Sequence, residues 1–184
     1  GPQSVMQASI FLDFRMVYGD LSITEDIQNF VDGALLNQPA FFFHMADQSL
    51  KFKTSGDLSG LFKIDSATGI KVFDSKRVLF PLSSFVRINA ISSGIVARGT
   101  LDRIHQLNNS GFLTDQLSQK ISEGFDFLMM LRYKSQLMAI EADQEINNKV
   151  PEEILTDMDK VHLKKVIRTI SELQVKLRLD FNIS

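Results

Sequence analysis

The sequence predicts a mainly α protein, an antiparallel helical bundle with a short N-terminal strand and an inserted β-hairpin. Apolar residues recur at helical spacing through most of the chain after residue 20. Near the C-terminus Leu163, Ile170 and Leu177 repeat every seven residues, as in a helix-bundle seam. Strand-like patterns are confined to two short stretches. The 184 residues suit one domain that buries a sizeable core.

The segment before residue 20 is predicted to form a β-strand that has no partner strand nearby in the chain. Gly1 and Pro2 are typical of a protease-cleavage scar, so residues 1–7 are interpreted as scar and linker. Residues 8–18 are rich in β-branched and aromatic types and predict a buried strand that ends at Gly19. No partner strand follows directly, which is unusual for a self-contained domain. Because of the scar and the missing initiator methionine, we expect an excised piece of a longer protein. Its exposed strand edge would allow a homodimer.

The helical domain is predicted over residues 20–184 and begins with two helices. Asp20 or Ser22 is placed to cap the first helix, whose apolar residues keep a period of 3.6 until Pro39 forces a break. The second helix is predicted from Pro39 to about Phe52.

A hairpin and two further helices follow. Residues 61–65 and 70–73 alternate in polarity on both sides of a four-residue turn, which predicts the hairpin. Helical spacing returns after Pro81 and continues to about Ser93. Thr100 is placed to cap a short helix that ends near Asn108.

Two long helices complete the bundle. The first opens at Thr114, is apolar nearly all round between residues 125 and 131, and is therefore predicted to be central. It ends near Asp143. Thr156 with Asp159 resembles a cap for the final helix, which we expect to reach about Phe181.

Composition excludes several classes of function. Twenty basic residues stand against 22 acidic ones, a formal charge of -2, so neither a nucleic-acid partner nor a membrane surface is indicated. The absence of cysteine excludes disulfides, thiolate zinc sites and cysteine nucleophiles. No apolar run is long enough to span a bilayer and no signal peptide opens the chain, so we expect a cytoplasmic protein.

The common catalytic motifs are missing. The sequence contains no phosphate-binding glycine loop, no dinucleotide fingerprint, no zinc-protease motif and no nucleophile elbow. His44, His105 and His162 lie far apart, and none has a second ligand at metal spacing. We therefore predict no metal site and no catalytic residue set in this chain.

Polar residues at positions where the helical period expects apolar ones are the candidate functional groups. Arg132 and Gln136 follow Phe125 and Leu128 on one helix face. One interpretation is an internal ion pair, with Asp13, Asp102 or Asp126 as the partner of Arg132. The other is an anion-binding groove, because a guanidinium fits phosphate or carboxylate through two hydrogen bonds.

The predicted N-terminal strand carries a second unusual pair. Alternation places Asp13 and Arg15 on one face, opposite Phe14. Asp13 is either a metal ligand for a nucleoside triphosphate or one half of a salt bridge that closes the strand onto a helix. One carboxylate alone does not make a two-metal site.

These segments together resemble a known family. Residues 10–20 (IFLDFRMVYGD) resemble the signature FFDFRPVYGD at the junction between a nucleotidyltransferase domain and a helical domain in bacterial signal-transduction proteins. Those proteins carry cyclic-nucleotide-binding and CBS domains and are similar to the PII-uridylyltransferase group. Residues 73–87, 100–104, 127–136 and 148–174 match further family motifs in order, so the resemblance covers nearly all of 8–181.

The resemblance implies a non-catalytic substrate-binding domain that packs against an upstream catalytic domain of the same protein. Mg²⁺ and a nucleoside triphosphate are expected only for the full-length nucleotidyltransferase, with Asp13 a contributor near its active site. The alternative is a structural or protein-interaction bundle that holds internal ion pairs and no small molecule. Under the first reading, a nucleotide or acceptor would contact these residues: Arg15, Lys76, Arg87, Arg103, Arg132, Gln136 and Lys164.

Overall fold

The computed structural model describes residues 11–14, 16–35, 38–52 and 58–183 and confirms the mainly α fold. In the described residues the helices are α1 (Leu21–Leu35), α2 (Pro39–Leu50), α3 (Ser75–Ser92), α4 (Thr100–Asn109), α5 (Asp115–Glu141) and α6 (Asp157–Asp180). The strands are β1 (Lys63–Ile64), β2 (Lys71–Asp74) and β3 (Lys149–Pro151), and short 3-10 turns lie at Phe11–Asp13, Leu58–Gly60 and Glu152–Ile154.

The prediction of an N-terminal strand is wrong for the residues of that segment that the structure describes. Phe11–Asp13 form a 3-10 turn, and residues 16–19 belong to no strand. A strand needs neighbouring backbone to satisfy its N–H and C=O groups, and among the described residues the sheet consists of β1, β2 and β3 in that order. Side chains hold the segment instead, with Leu12 buried in the core. Residues 8–10 lie outside the described residues.

The predicted hairpin is confirmed and gains a third strand. β1 pairs antiparallel with β2, with Lys63 opposite Val72, and β2 pairs antiparallel with β3, with Phe73 opposite Val150. Phe73 and Val150 are buried, so the sheet packs one side on the helical core. The sequence does not reveal β3 because it is short and ends in a proline, which only an edge strand accommodates.

Helix α3 starts earlier than predicted and is the centre of the bundle. The Asp74 side chain accepts a hydrogen bond from Arg77 N at 3.1 Å, so the helix begins at Ser75 and runs through Pro81. Leu82 and Phe85, which follow the proline, are fully buried. α3 packs against α2, α4, α5 and α6. This packing stabilises a helix from which Pro81 removes one backbone hydrogen bond.

Helix α5 is less enclosed than its sequence predicts. Ile121, Leu128 and Leu131 are fully buried, but Met130 leaves 48% of its surface exposed. The all-round burial predicted for residues 125–131 is therefore wrong, since α5 packs through one side only. On the side of α5 that packs against α6, a Cβ on Gly124 would lie 3.3 Å from Val166 Cγ1.

Helix α6 confirms its predicted cap and seam. The Thr156 hydroxyl accepts from Asp159 N at 3.1 Å, and the Asp159 carboxylate accepts from Thr156 N at 2.9 Å. Leu163, Ile170 and Leu177 are fully buried. In the described part of the chain, none of the helices has the length and apolarity that crossing a lipid bilayer requires.

Candidate anion-binding site

The carboxylate of Asp13 lies between two arginines of the helical bundle. Arg103 Nη2 of α4 donates to Asp13 Oδ1 at 2.6 Å, and Arg87 Nη2 of α3 lies 3.1 Å from Asp13 Oδ2. The Arg103 side chain is only 5% exposed, and its Nε donates to the carbonyl oxygen of Ala97 at 2.7 Å. The structure therefore joins Asp13, Arg87 and Arg103, three residues that the sequence singled out separately.

The connection between α3 and α4 positions these groups. The chain turns at Gly94 with a φ of +72°, where a residue with a Cβ would be strained, and Ile95 N then donates to Ala90 O at 2.9 Å. The extended backbone of Gly99 caps α4, and Arg103 follows one turn later. The loop between these glycines thus lies beside Arg103.

This loop contributes Arg98, which sequence analysis missed. The Arg98 guanidinium lies 4.8 Å from the centre of the Phe14 ring, and its Nη2 donates to Gln28 Oε1 of α1. Its Nη1 is buried without a hydrogen-bond acceptor. A loop arginine has no helical or strand period to interrupt, so no sequence signal distinguishes it from an ordinary surface residue.

Together these groups form a site with excess positive charge, which we call the arginine cluster: Arg87, Arg98 and Arg103 around Asp13. Arg87 and Arg103 share the Asp13 carboxylate, and Arg98 lies over the neighbouring Phe14 ring, so guanidinium groups outnumber the carboxylate that pairs with them. Burial lowers the pKa of Arg87, and the charge of Arg103 lowers it further, while Asp13 opposes both effects. Arg87 Nε is buried without an acceptor, so Asp13 satisfies the cluster only in part.

A cavity of about 270 Å³ adjoins the cluster. Arg103, Gln28 and Ser92 supply polar groups to its wall, and the remaining lining is mostly apolar: Leu12, Leu35, Phe42, Ile91, Ile95 and Val96. An apolar pocket with a few convergent polar groups is typical of a small-molecule site.

The other predicted contacts lie elsewhere. Lys76 is exposed at the start of α3, about 16 Å from Arg87 at 1.5 Å of helix rise per residue. Gln136 Nε2 donates to Asn147 O at 3.3 Å, beside β3. Lys164 is exposed on α6, and Arg15 lies outside the described residues.

Arg132 lacks the ion pair that one interpretation of the sequence assigned to it. No carboxylate among the described residues pairs with it, and Asp13 is bound by Arg87 and Arg103 instead. Its Nε is buried without an acceptor. α5 carries Arg132 one turn before Gln136, a different part of the bundle from the arginine cluster.

The described residues contain no group of three or more histidine, aspartate or glutamate side chains placed to hold a metal ion. His162 instead stacks on Phe127, with ring centres 4.2 Å apart. The guanidinium groups of Arg87, Arg98 and Arg103 are suited to binding an anion.

A family comparison agrees with the resemblance found in the sequence. The sequence model of the family described as "Putative nucleotidyltransferase substrate binding domain" matches residues 39–181, well over half of the chain. The chain belongs to this family. Searches of curated proteins and of solved structures give no match. Arg87, Arg98 and Arg103 lie within the matched substrate-binding domain, whereas Asp13 precedes it. The arginine cluster is therefore where the domain contacts the segment that resembles the transferase junction.

Proposed function

We propose that this substrate-binding domain holds a phosphate-bearing ligand, the nucleotide or the acceptor of a nucleotidyltransferase, at the arginine cluster. The observation that carries the proposal is the excess of guanidinium over carboxylate charge. Arg87 Nε and Arg98 Nη1 have no acceptor among the described residues, and phosphate oxygens are acceptors that guanidinium N–H groups bind well.

The physical chemistry of the site favours a phosphate ligand. Guanidinium groups bind phosphate oxygens through paired hydrogen bonds, and these interactions strengthen where water is partly excluded. The adjoining cavity is mostly apolar and would accept the uncharged part of such a ligand, for example a nucleobase. Arg132 is a second candidate contact, because its buried Nε also lacks an acceptor.

In this proposal the chain binds the ligand, and the upstream domain catalyses the nucleotidyl transfer. The catalytic domain of the parent protein, a bacterial signal-transduction nucleotidyltransferase of the cytoplasm, would supply the transferase residues and use Mg²⁺ with a nucleoside triphosphate. Asp13 would lie near that active site, since its segment resembles the junction signature.

A second function is favoured by the closeness of the Asp13–Arg103 pair. At 2.6 Å, with the Arg103 side chain 5% exposed, this pair attaches the junction segment to the bundle. Leu12 in the core and Phe14 under Arg98 extend the attachment. In this alternative the cluster is a structural clamp and holds no ligand.

Anion titration distinguishes the two functions. We expect inorganic tripolyphosphate and nucleoside triphosphates to raise the melting temperature of the chain in a saturable way, because a ligand that binds only the folded state stabilises it. Arg87→Gln should abolish most of this response. Arg178→Gln, at an exposed arginine of α6 with the same loss of charge, should preserve it.

Isothermal titration calorimetry with the same three proteins gives the affinity directly. Equal responses of the Arg87→Gln and Arg178→Gln variants would contradict a site at the cluster. No heat and no stabilisation at millimolar ligand would favour the structural clamp.

A further inference from the structure

An N-terminal arm lies against the bundle at the arginine cluster. The arm is the described chain over residues 11–14 and 16–35, which precedes the family-matched domain and ends with α1. Leu12 is the one buried residue among its described side chains. The half-buried side chains of α1 form a single stripe: Thr24, Gln28, Val31 and Leu35. The arm is therefore attached more lightly than helices α2 to α6, each of which buries several residues.

Side chains rather than backbone groups hold the arm in place. Among the described residues, the backbone hydrogen bond that joins the arm to the bundle runs from Gln38 N to Leu35 O at 3.0 Å, at the end of α1. None of the three described strands comes from the arm. A helix of 15 residues is marginal in water unless it packs against other elements. Docking of the arm thus depends on its few side-chain contacts with the bundle.

These contacts involve all three arginines of the arginine cluster. Asp13 pairs with two of them, at 2.6 Å and 3.1 Å, while Phe14 and Gln28 contact the third, Arg98. A carboxylate between guanidinium groups and a flat ring against a guanidinium are also the contacts that a nucleoside phosphate would make there. The arm therefore occupies, with its own side chains, part of the site assigned to the phosphate ligand.

The arm also contributes to the wall of the adjoining cavity. Leu12, Gln28 and Leu35 line this cavity together with Phe42 of α2 and the end of α3. A ligand that filled both the cluster and the cavity would therefore meet the arm in each of them.

We propose that the arm is an inhibitory segment that competes with the phosphate ligand for the arginine cluster, so that ligand binding releases the arm from the bundle. This inference rests on the proposed function, because it assigns a regulation to the same site. The coupling is reciprocal: the docked arm weakens ligand binding by the factor by which the ligand weakens docking. Residues 10–20 resemble the junction with a transferase domain, so release of the arm would signal to that domain that the site is occupied.

Charge makes the two states mutually exclusive. The Asp13 carboxylate and a phosphate group are both anions, and in a partly buried site they would repel each other. A phosphate carries more negative charge and more acceptor oxygens than a carboxylate. Exchange of Asp13 for a phosphate group therefore brings more counter-charge to the arginine cluster, and this offsets the lost contacts of the arm.

Hydrogen exchange of the full chain, followed by mass spectrometry, tests this competition with inorganic tripolyphosphate as the probe. At saturating tripolyphosphate we expect the amides of the arm to exchange at least about fivefold faster, because a released α1 loses its packing and opens more often. Residues 97–103 should exchange more slowly, since they surround the bound anion. A ligand that bound beside a docked arm would instead leave the exchange of α1 unchanged or slow it.

Asp13→Asn separates the arm from the cluster without any ligand. In this variant we expect fast exchange of the arm in the absence of tripolyphosphate and little further change when it is added. Calorimetry should show binding at least about fivefold tighter than in the wild type, because the competing carboxylate is gone. Asp26→Asn, the same change at an exposed carboxylate of α1, should match the wild type in both measurements. Unchanged exchange in α3 and α6 confirms that each variant remains folded.

The two measurements distinguish failure of this inference from failure of the proposed function. Binding by calorimetry with unchanged or slower exchange of the arm would overturn the competition and leave the phosphate site in place. An arm that exchanges freely in the wild type without ligand would overturn the competition as well. Absence of binding in both the wild type and Asp13→Asn would overturn the competition together with the proposed function.

Discussion

Asp13→Asn is the most informative single change, because it keeps the shape of the side chain and removes its charge. Asp13 is the only carboxylate among the described residues that pairs with the guanidinium groups of Arg87 and Arg103. Its loss leaves those groups without a counter-charge in a partly buried site. A hydrogen bond to a charged group contributes about 1.5–3 kcal/mol, so we expect a loss of about 2–3 kcal/mol in the free energy of unfolding.

The same variant should respond more strongly to anions. With the carboxylate neutralised, tripolyphosphate can occupy the position between Arg87 and Arg103 without competing against Asp13. At ten times the dissociation constant, binding adds about 1.4 kcal/mol of stability. For a protein of this size that corresponds to a rise in melting temperature of about 3–6 °C.

The assay is differential scanning fluorimetry with and without tripolyphosphate, checked by urea unfolding, with Asp26→Asn as the control. Asp26 is exposed on α1 and pairs with no described residue, so its variant should match the wild type. Asp13→Asn stability equal to that of Asp26→Asn would refute the importance of the pair. A destabilised variant that anions do not rescue would refute the ligand site and leave the structural clamp.

Three further predictions concern the bundle. The backbone hydrogen bond from Thr156 lowers the pKa of Asp159, so this cap stabilises fully above about pH 4 and is lost as the pH falls through the lowered pKa. In urea unfolding Asp159→Ala should therefore cost about 1 kcal/mol at pH 7 and progressively less as the pH falls below about 4. Gly124→Val should cost about 1–3 kcal/mol by crowding Val166, whose Cγ1 lies 3.3 Å from the added Cβ, and an unchanged urea midpoint would show that the crossing is looser than described. Arg132→Met should change stability by less than about 1 kcal/mol because Arg132 forms no ion pair with the described residues, and a loss of several kcal/mol would reveal a partner.

Sequence patterns predicted the elements that depend on local chemistry. The Thr156–Asp159 cap, the seam of α6 and the β1–β2 hairpin follow from spacing, capping residues and turn composition, and the structure confirms them. The start of α3 was missed because Pro81 is a local signal for a helix boundary. Tertiary packing overrides that signal, since the bundle encloses α3 on several sides.

Contacts between distant residues were harder to predict. Arg87 and Arg103 were candidates through family motifs, and Asp13 through its place in a predicted strand. Their meeting depends on how the Gly94–Gly99 loop folds back, and spacing does not encode that path. The position of Arg132 on its helix face predicted either an ion pair with an internal carboxylate or the binding of an anion. Only the structure shows that none of the three suggested aspartates pairs with it.

The most direct test of the ligand site is an NMR titration of the chain with tripolyphosphate that follows backbone amides and arginine Nε–Hε signals. We predict saturable shifts at Arg87, Arg98 and Arg103 and at the backbone of residues 97–103, with no change at Arg178. Shifts spread evenly over exposed lysines and arginines, or none at the cluster, would contradict a phosphate-binding function for this domain.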